Sequence, residues 1–185
     1  MFTLLEWLKQ GGHALQETVN GTRLKYNNSE FTASCVGRLT GEYPFRNSEG
    51  GRAINQTVID ATKNSVNSAY IAMAQQLDLC NIMQGAADLG VTRAGNPPSS
   101  NDAEGRPMGD VPFSPYPSSV LGTNSTSPLQ MAAAYATFAA DGTYCKPIAI
   151  TSIVDSTGAE LPVPSADCRD GGAIDPSTRR PSTSR

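Results

Sequence analysis

A serine hydroxyl and an asparagine carboxamide stand two residues apart at Ser65 and Asn67, within the stretch Thr57-Val58-Ile59-Asp60-Ala61-Thr62-Lys63-Asn64-Ser65-Val66-Asn67-Ser68-Ala69-Tyr70. A hydroxyl both donates and accepts a proton, and a carboxamide offers both kinds of hydrogen bond, so the pair can serve one cleft if both side chains face it. The competing use is capping, because both residue types satisfy free amides at a helix start. Lys63, beside Ser65, reads as a solvated helix residue rather than a base. His13, the single histidine, follows Gly11-Gly12 in a mobile-looking turn and reads as a surface residue, away from Ser65. One histidine with scattered carboxylates forms no metal site. No cofactor is expected.

The elements around the pair follow from hydrophobic period and punctuation. Residues 57–64 form an amphipathic helical run, and a second run starts at Ala69, which places Ser65-Val66-Asn67 on a short connection between two helices. Phe2 to Gln10 predicts a helix with Phe2, Leu5 and Leu8 on one face, ended by Gly11-Gly12, with Phe2 and Trp7 as core residues. Thr18 to Gly51 is polar and turn-rich, which predicts loops with short strands. Leu77 to Leu89 predicts a helix stopped by Gly90. Thr92 to Ser119, rich in Pro, Gly, Ser and Asp, predicts an irregular surface excursion. Ser127 followed by Pro128 is an N-cap with proline at the first helical position, opening a helix over Leu129 to Phe138 that stops near Gly142. Ile148 to Val154 predicts a strand, turned at Ser156 to Ala159 into a second one. The expected division is a domain over 1–168 and a disordered tail over 169–185.

At 185 residues with 38% hydrophobic content, the chain suits one domain rather than two. A net charge of −3 offers no basic face for nucleic acid. No run of about 18 apolar residues is present, so no membrane span is expected. The first residues, Met1-Phe2-Thr3-Leu4-Leu5-Glu6, lack the pattern of a signal peptide, so no export signal is expected in the chain as written. Cys35, Cys80, Cys145 and Cys168 show no Cys-x-x-Cys pair, and their even number is compatible with two disulfides in an oxidising compartment or with four buried thiols. Of three connectivities, Cys35–Cys80 with Cys145–Cys168 keeps each bridge within one local unit. Four Asn-x-Ser/Thr sequons, beginning at Asn20, Asn27, Asn55 and Asn124, are expected by chance in a chain of this composition.

Residues 57–72 around Ser65-Val66-Asn67 resemble the Ser-x-Asn segment of class A penicillin-binding proteins. Leu121 to Ile153, through Leu121-Gly122-Thr123-Asn124, Ser127-Pro128-Leu129-Gln130-Met131-Ala132, Tyr135 to Tyr144 and Pro147-Ile148, resembles the helix and following strand of the same transpeptidase domain. Phe2 to Gln10 is similar to the remainder of the helix that carries the family's Ser-x-x-Lys. The cysteine pattern is similar to homologues from high-GC Gram-positive bacteria. The resemblance implies an α+β, helix-rich fold of the penicillin-binding-protein/β-lactamase-like class, incomplete here and lacking its C-terminal sheet strands. It also implies that Ser65 relays a proton beside the nucleophile while Asn67 holds the substrate backbone. The implied partners are peptidoglycan stem peptides and β-lactams, at the extracytoplasmic face of the cell membrane.

The departures shape the functional expectation. The family's nucleophile is the serine of Ser-x-x-Lys, activated by its lysine, and a Lys-Thr-Gly strand completes the site. Neither motif occurs in these 185 residues; Thr22-Arg23-Leu24-Lys25 and Thr143-Tyr144-Cys145-Lys146 are the nearest spacings, both with threonine. The expectation is a central piece of a cell-wall cross-linking transpeptidase, truncated at both ends relative to the family and inactive alone. A non-catalytic remnant that binds peptidoglycan or a cell-wall partner is the alternative. A third reading, a small secreted disulfide-stapled domain of another family, leaves the Ser65 and Pro128 blocks without explanation. Missing strands are expected to leave the helices flanking Ser65, and the helix after Pro128, without packing partners.

Overall fold

The computed structural model describes residues 1–10, 12–48, 51–95, 101–103, 105 and 111–170. Three helices form the centre. Helix α1 (Phe2–Lys9) lies against α3 (Asn67–Gln75) and α4 (Leu79–Asp88). A short helix, α2 (Val58–Lys63), leads into α3, and α5 (Pro117–Val120) covers α3 from another side. Helix α6 (Pro128–Ala139) follows farther along the chain.

The strands are short and pair antiparallel in twos. Strand β1 (Thr18–Asn20) pairs with β4 (Asn55–Thr57), setting Val19 opposite Gln56, and β2 (Lys25–Asn27) pairs with β3 (Glu42–Pro44), setting Tyr26 opposite Tyr43. The C-terminal part holds β5 (Thr143–Tyr144) with β8 (Arg169–Asp170), and β6 (Ile153–Val154) with β7 (Glu160–Leu161). This mixed helix-and-strand architecture agrees with the expected fold class. The strand expected from Ile148 is confined to Ile153–Val154, and β8 has no counterpart among the expected elements. The first two residues of the expected tail form β8, and 171–185 lie outside the described residues.

Local chemistry explains the helix boundaries. Thr57 caps α2 by accepting from the Asp60 amide, and Asp78 caps α4 by accepting from the Cys80 amide. Ser127 and Gln130 form a reciprocal capping box at α6 with Pro128 inside the first turn, as the sequence predicts. Gly90 ends α4 at φ +72°, and the Tyr144 ring occupies the space a side chain there would need.

The helices flanking Ser65 are covered, contrary to expectation. Val58, Ala61, Val66, Ala69, Ile71 and Met73 are all buried, because α1, α5 and β1 enclose α3 without further strands. Helix α6 is open on one side only: Leu129 and Tyr135 are 62% and 61% exposed, whereas Ala134 and Thr137 are buried and β5 packs against it. The stretch read as a surface excursion is described only in part, and that part is not superficial: Val111, Phe113 and Pro117 are buried. On α1 Trp7 is in the core, together with Leu5, whereas Phe2 is half-buried. His13, expected in a mobile turn, stacks on Trp7 at 3.7 Å between ring centroids and sits 2.9 Å from Glu17 Oε2. A flat ring on a buried indole is a packed position.

Both expected disulfides are present, Cys35–Cys80 and Cys145–Cys168. The first pins the 32–35 loop to the start of α4, where Leu79 N donates to Thr32 O at 2.9 Å and Asp78 accepts from Ser34 N. It closes a separation of 45 residues. The Cys35→Ser/Cys80→Ser double variant is expected to lose about 2–4 kcal/mol in urea unfolding; an unchanged midpoint would show that the bridge adds nothing to these contacts.

A second prediction concerns acid. The Arg23 guanidinium, bidentate to Glu30 at 2.8 and 2.9 Å, and the Asn27 amide hold the Glu30 carboxyl down at about 2, from an ordinary 4.5. Because the folded value is depressed, this contribution is complete above pH 4.5 and fades as pH falls toward 2. Glu30→Gln should therefore flatten the acid limb of the stability curve in that window. Thermal melts across the window would show it; parallel limbs for both proteins would refute the linkage.

Candidate functional site

Ser65 and Asn67 stand where the sequence places them, at the joint between α2 and α3. Three backbone bonds shape that joint: Asn64 N to Asp60 O, Ser65 N to Thr62 O and Val66 N to Ala61 O, at 2.9 to 3.2 Å. They wind the end of α2 tightly, and Ser65 takes φ +51° as the chain reverses into α3. For a residue with a side chain this left-handed conformation is uncommon and costs about 1–2 kcal/mol.

Neither residue caps α3. Its N-cap is Val66, which offers no side-chain cap, and the Asn67 carboxamide donates through Nδ2 to Arg46 O at 2.7 Å. The helix start is satisfied from outside instead. Asn47 Oδ1 accepts from Ser68 N at 2.8 Å, and Asn47 Nδ2 donates to Ser68 Oγ at 3.1 Å. Arg46 and Asn47 thus clamp the first turn of α3, and Gly21 makes room, since a side chain there would strike Ile54 O. Sequence reasoning missed this clamp, because nothing in a turn-rich stretch marks which asparagine reaches 21 residues along the chain.

Ser65 and Asn67 share one cleft of about 640 Å³. Its floor is the start of α1, Met1 and Phe2, with Phe113 edge-on to Phe2 at 6.4 Å. One wall is Thr62, Ser65, Asn67 and Tyr70, and the other runs from Ser119 to Thr126. Met131 and Tyr135 of α6 form the rim. Thr62 Oγ1 lies 2.9 Å from the Tyr70 hydroxyl, tying α2 to α3 across the reversal. Burial pushes the Tyr70 hydroxyl above its usual range, against the pull of the Thr62 bond, so it stays protonated. Ser65 Oγ makes no hydrogen bond among the described residues and faces the cleft exposed.

The remaining candidates lie elsewhere. Lys63 is exposed and does not line the cleft, and His13 is held by Trp7 and Glu17. Thr22 is engaged with Asn20 while Lys25 pairs with Glu42, and Thr143 sits on β5, so neither threonine–lysine spacing is on a helix. The cleft thus holds an available hydroxyl and an anchored carboxamide beside the N-terminal end of a helix. It can orient a peptide and pass a proton, and these residues put no lysine beside a serine there.

The left-handed turn yields a test. Ser65→Gly should raise stability by about 1 kcal/mol and Ser65→Val should lower it by a similar amount or more. If denaturant unfolding showed the glycine variant weaker than the parent, the serine side chain would be structural.

A family model described as the penicillin binding protein transpeptidase domain matches residues 26–178. Penicillin-binding protein 1A of Mycolicibacterium smegmatis (strain ATCC 700084 / mc(2)155) is 32% identical over 120 residues, covering 62% of this chain and 14% of that protein. Penicillin-binding protein 1A of Aquifex aeolicus (strain VF5) is 42% identical over 66 residues, 36% of this chain and 9% of that protein. The chain therefore spans only a small part of these curated relatives. Among solved structures, PonA1 from Mycobacterium tuberculosis in complex with penicillin V aligns at TM-score 0.62 and 25% identity, over 97% of this chain and 41% of that one. The penicillin-binding protein PonA1 from the same organism aligns at TM-score 0.62 and 24% identity, over 86% and 37%.

Proposed function

Because the chain belongs to the penicillin-binding protein transpeptidase family, we propose that it supplies the Ser65–Asn67 wall of a cleft for cross-linking peptidoglycan stem peptides. The supporting observation is convergence: Ser65, Asn67 and the N-terminal end of α1 all border one cleft. In the reaction a serine oxygen attacks a peptide carbonyl, an acyl-enzyme forms, and the released amine takes a proton. Ser65 is the group that relays this proton, and Asn67 holds the peptide. The family's nucleophilic serine and its lysine form a Ser-x-x-Lys that these 185 residues do not contain. The chain alone is therefore inactive. The two disulfides support work at the extracytoplasmic face of the membrane, and no described helix is long and apolar enough to cross it.

A second reading, a non-catalytic remnant that binds wall peptides, has one observation in its favour: Trp7, Ile71, Met73 and Leu79 form a dry core within the chain itself. A sharp, reversible thermal transition of the purified chain would favour it.

Two measurements test the proposal. A fluorescent penicillin should leave the isolated chain unlabelled, and a stoichiometric penicilloyl adduct by mass spectrometry would overturn its inactivity. Grafted in place of the matching segment of the Mycolicibacterium smegmatis relative, the chain should support labelling. In that graft Ser65→Ala or Asn67→Ala should slow acylation by about 10²-fold or more. Unchanged acylation in both variants would remove the pair from the chemistry.

A further inference from the structure

Between α1 and α4 lies a second hollow, of about 280 Å³, that shares no lining residue with the Ser65 cleft. Glu6, Lys9 and Gln10 border it from the end of α1, and Asn81 and Gln84 border it from α4. Of these residues only Glu6 is buried, at 5% exposure. A carboxylate taken out of water needs several hydrogen bonds and a cation to offset the lost hydration. Glu6 has little of either. Its Oε1 accepts one bond, from Gln10 Nε2 at 3.2 Å, and its Oε2 makes none among the described residues. Lys9, three residues on, is exposed and forms no ion pair among the described residues.

The neighbouring carboxamides make the hollow rich in acceptors. Gln10 Nε2 is committed to Glu6, and Gln84 Nε2 donates to Asp88 Oδ1 at 2.8 Å, so each leaves its Oε1 without a partner among the described residues. Asn81 makes no side-chain bond among them and can present its oxygen as well. The hollow also sits at the C-terminal end of α1, where the free carbonyls carry negative partial charge and favour a cation. We propose that this hollow binds a guanidinium group, with Glu6 as its counterion and the Gln10 and Gln84 oxygens as further acceptors. A guanidinium spreads its N–H donors over a planar fork and meets several oxygens at once, whereas an ammonium gathers fewer at one point. The bound cation supplies what the buried carboxylate lacks. The site is independent of the cross-linking reading above, since none of its residues enters that chemistry.

The test is a titration of the isotope-labelled chain, near neutral pH and at low salt, with methylguanidinium, acetyl-arginine-amide and acetyl-lysine-amide. Shifts of the Gln10 and Gln84 side-chain amides report occupancy. Binding of methylguanidinium marks a site for small free guanidines, and binding of acetyl-arginine-amide without it marks a site for an arginine side chain. The arginine compound should bind at least about threefold more tightly than the lysine compound. Glu6→Gln keeps the shape and the Gln10 contact, and should weaken binding about tenfold or more. Lys9→Glu, at the exposed rim, should tighten it about fivefold by exchanging a repelling charge for an attracting one. Unmoved Asn47 and Asn67 side-chain signals in each variant show that the fold is intact. No shift at Gln10 or Gln84 with either guanidine, or equal or tighter binding of the lysine compound, would overturn the proposal. So would unchanged binding in Glu6→Gln, or unchanged or weaker binding in Lys9→Glu.

Discussion

Helix α3 must be enclosed on nearly every side, and the rest of the molecule is arranged to do it. Ser68, Ala69, Ile71, Ala72, Met73 and Ala74 are all buried, so it has no broad polar face to give to water. Burying Ile71 and Met73 alone contributes roughly 1.5–3 kcal/mol each. Helices α1, α2 and α5 and strand β1 each take one of its sides. Asn67 is the first residue of this helix, so the position of the carboxamide is inherited from the best-packed element of the fold. Ser65 lies two residues upstream, where packing ends and the chain reverses.

Enclosure also explains the division of labour between the asparagines. A buried helix start cannot leave its amides to water, so it needs a partner from elsewhere in the chain. Asn47 fills that role through both of its amide atoms, and Arg46 O orients Asn67 from behind. Asn67 is thereby freed of any capping duty.

Much of this was legible in the residues. The joint at Ser65, the cap at Ser127-Pro128 and the stop at Gly90 each follow from local chemistry that acts within one helical turn. The cysteine pairs were legible because each closes a local unit. Strands β5 and β8 were not, since two residues carry no period and their pairing spans the excursion closed by Cys145–Cys168. Nor was the cover over α3: the missing strands suggested bare helix faces, yet Phe113 and Pro117, in a stretch dominated by turn residues, are packed inside. The Asn47 clamp is a contact across 21 residues with no trace in spacing.

The stack of His13 on Trp7 has a photophysical consequence. The chain contains one tryptophan and one histidine, and they lie face to face at 3.7 Å. The one indole of the chain therefore emits from a buried site in van der Waals contact with an imidazole ring. Because Leu15 O and Glu17 O receive the Ile59 and Val58 amides, the segment after His13 is bonded to the start of α2. The molecule therefore carries its own optical gauge of the packing around α1, with no label attached.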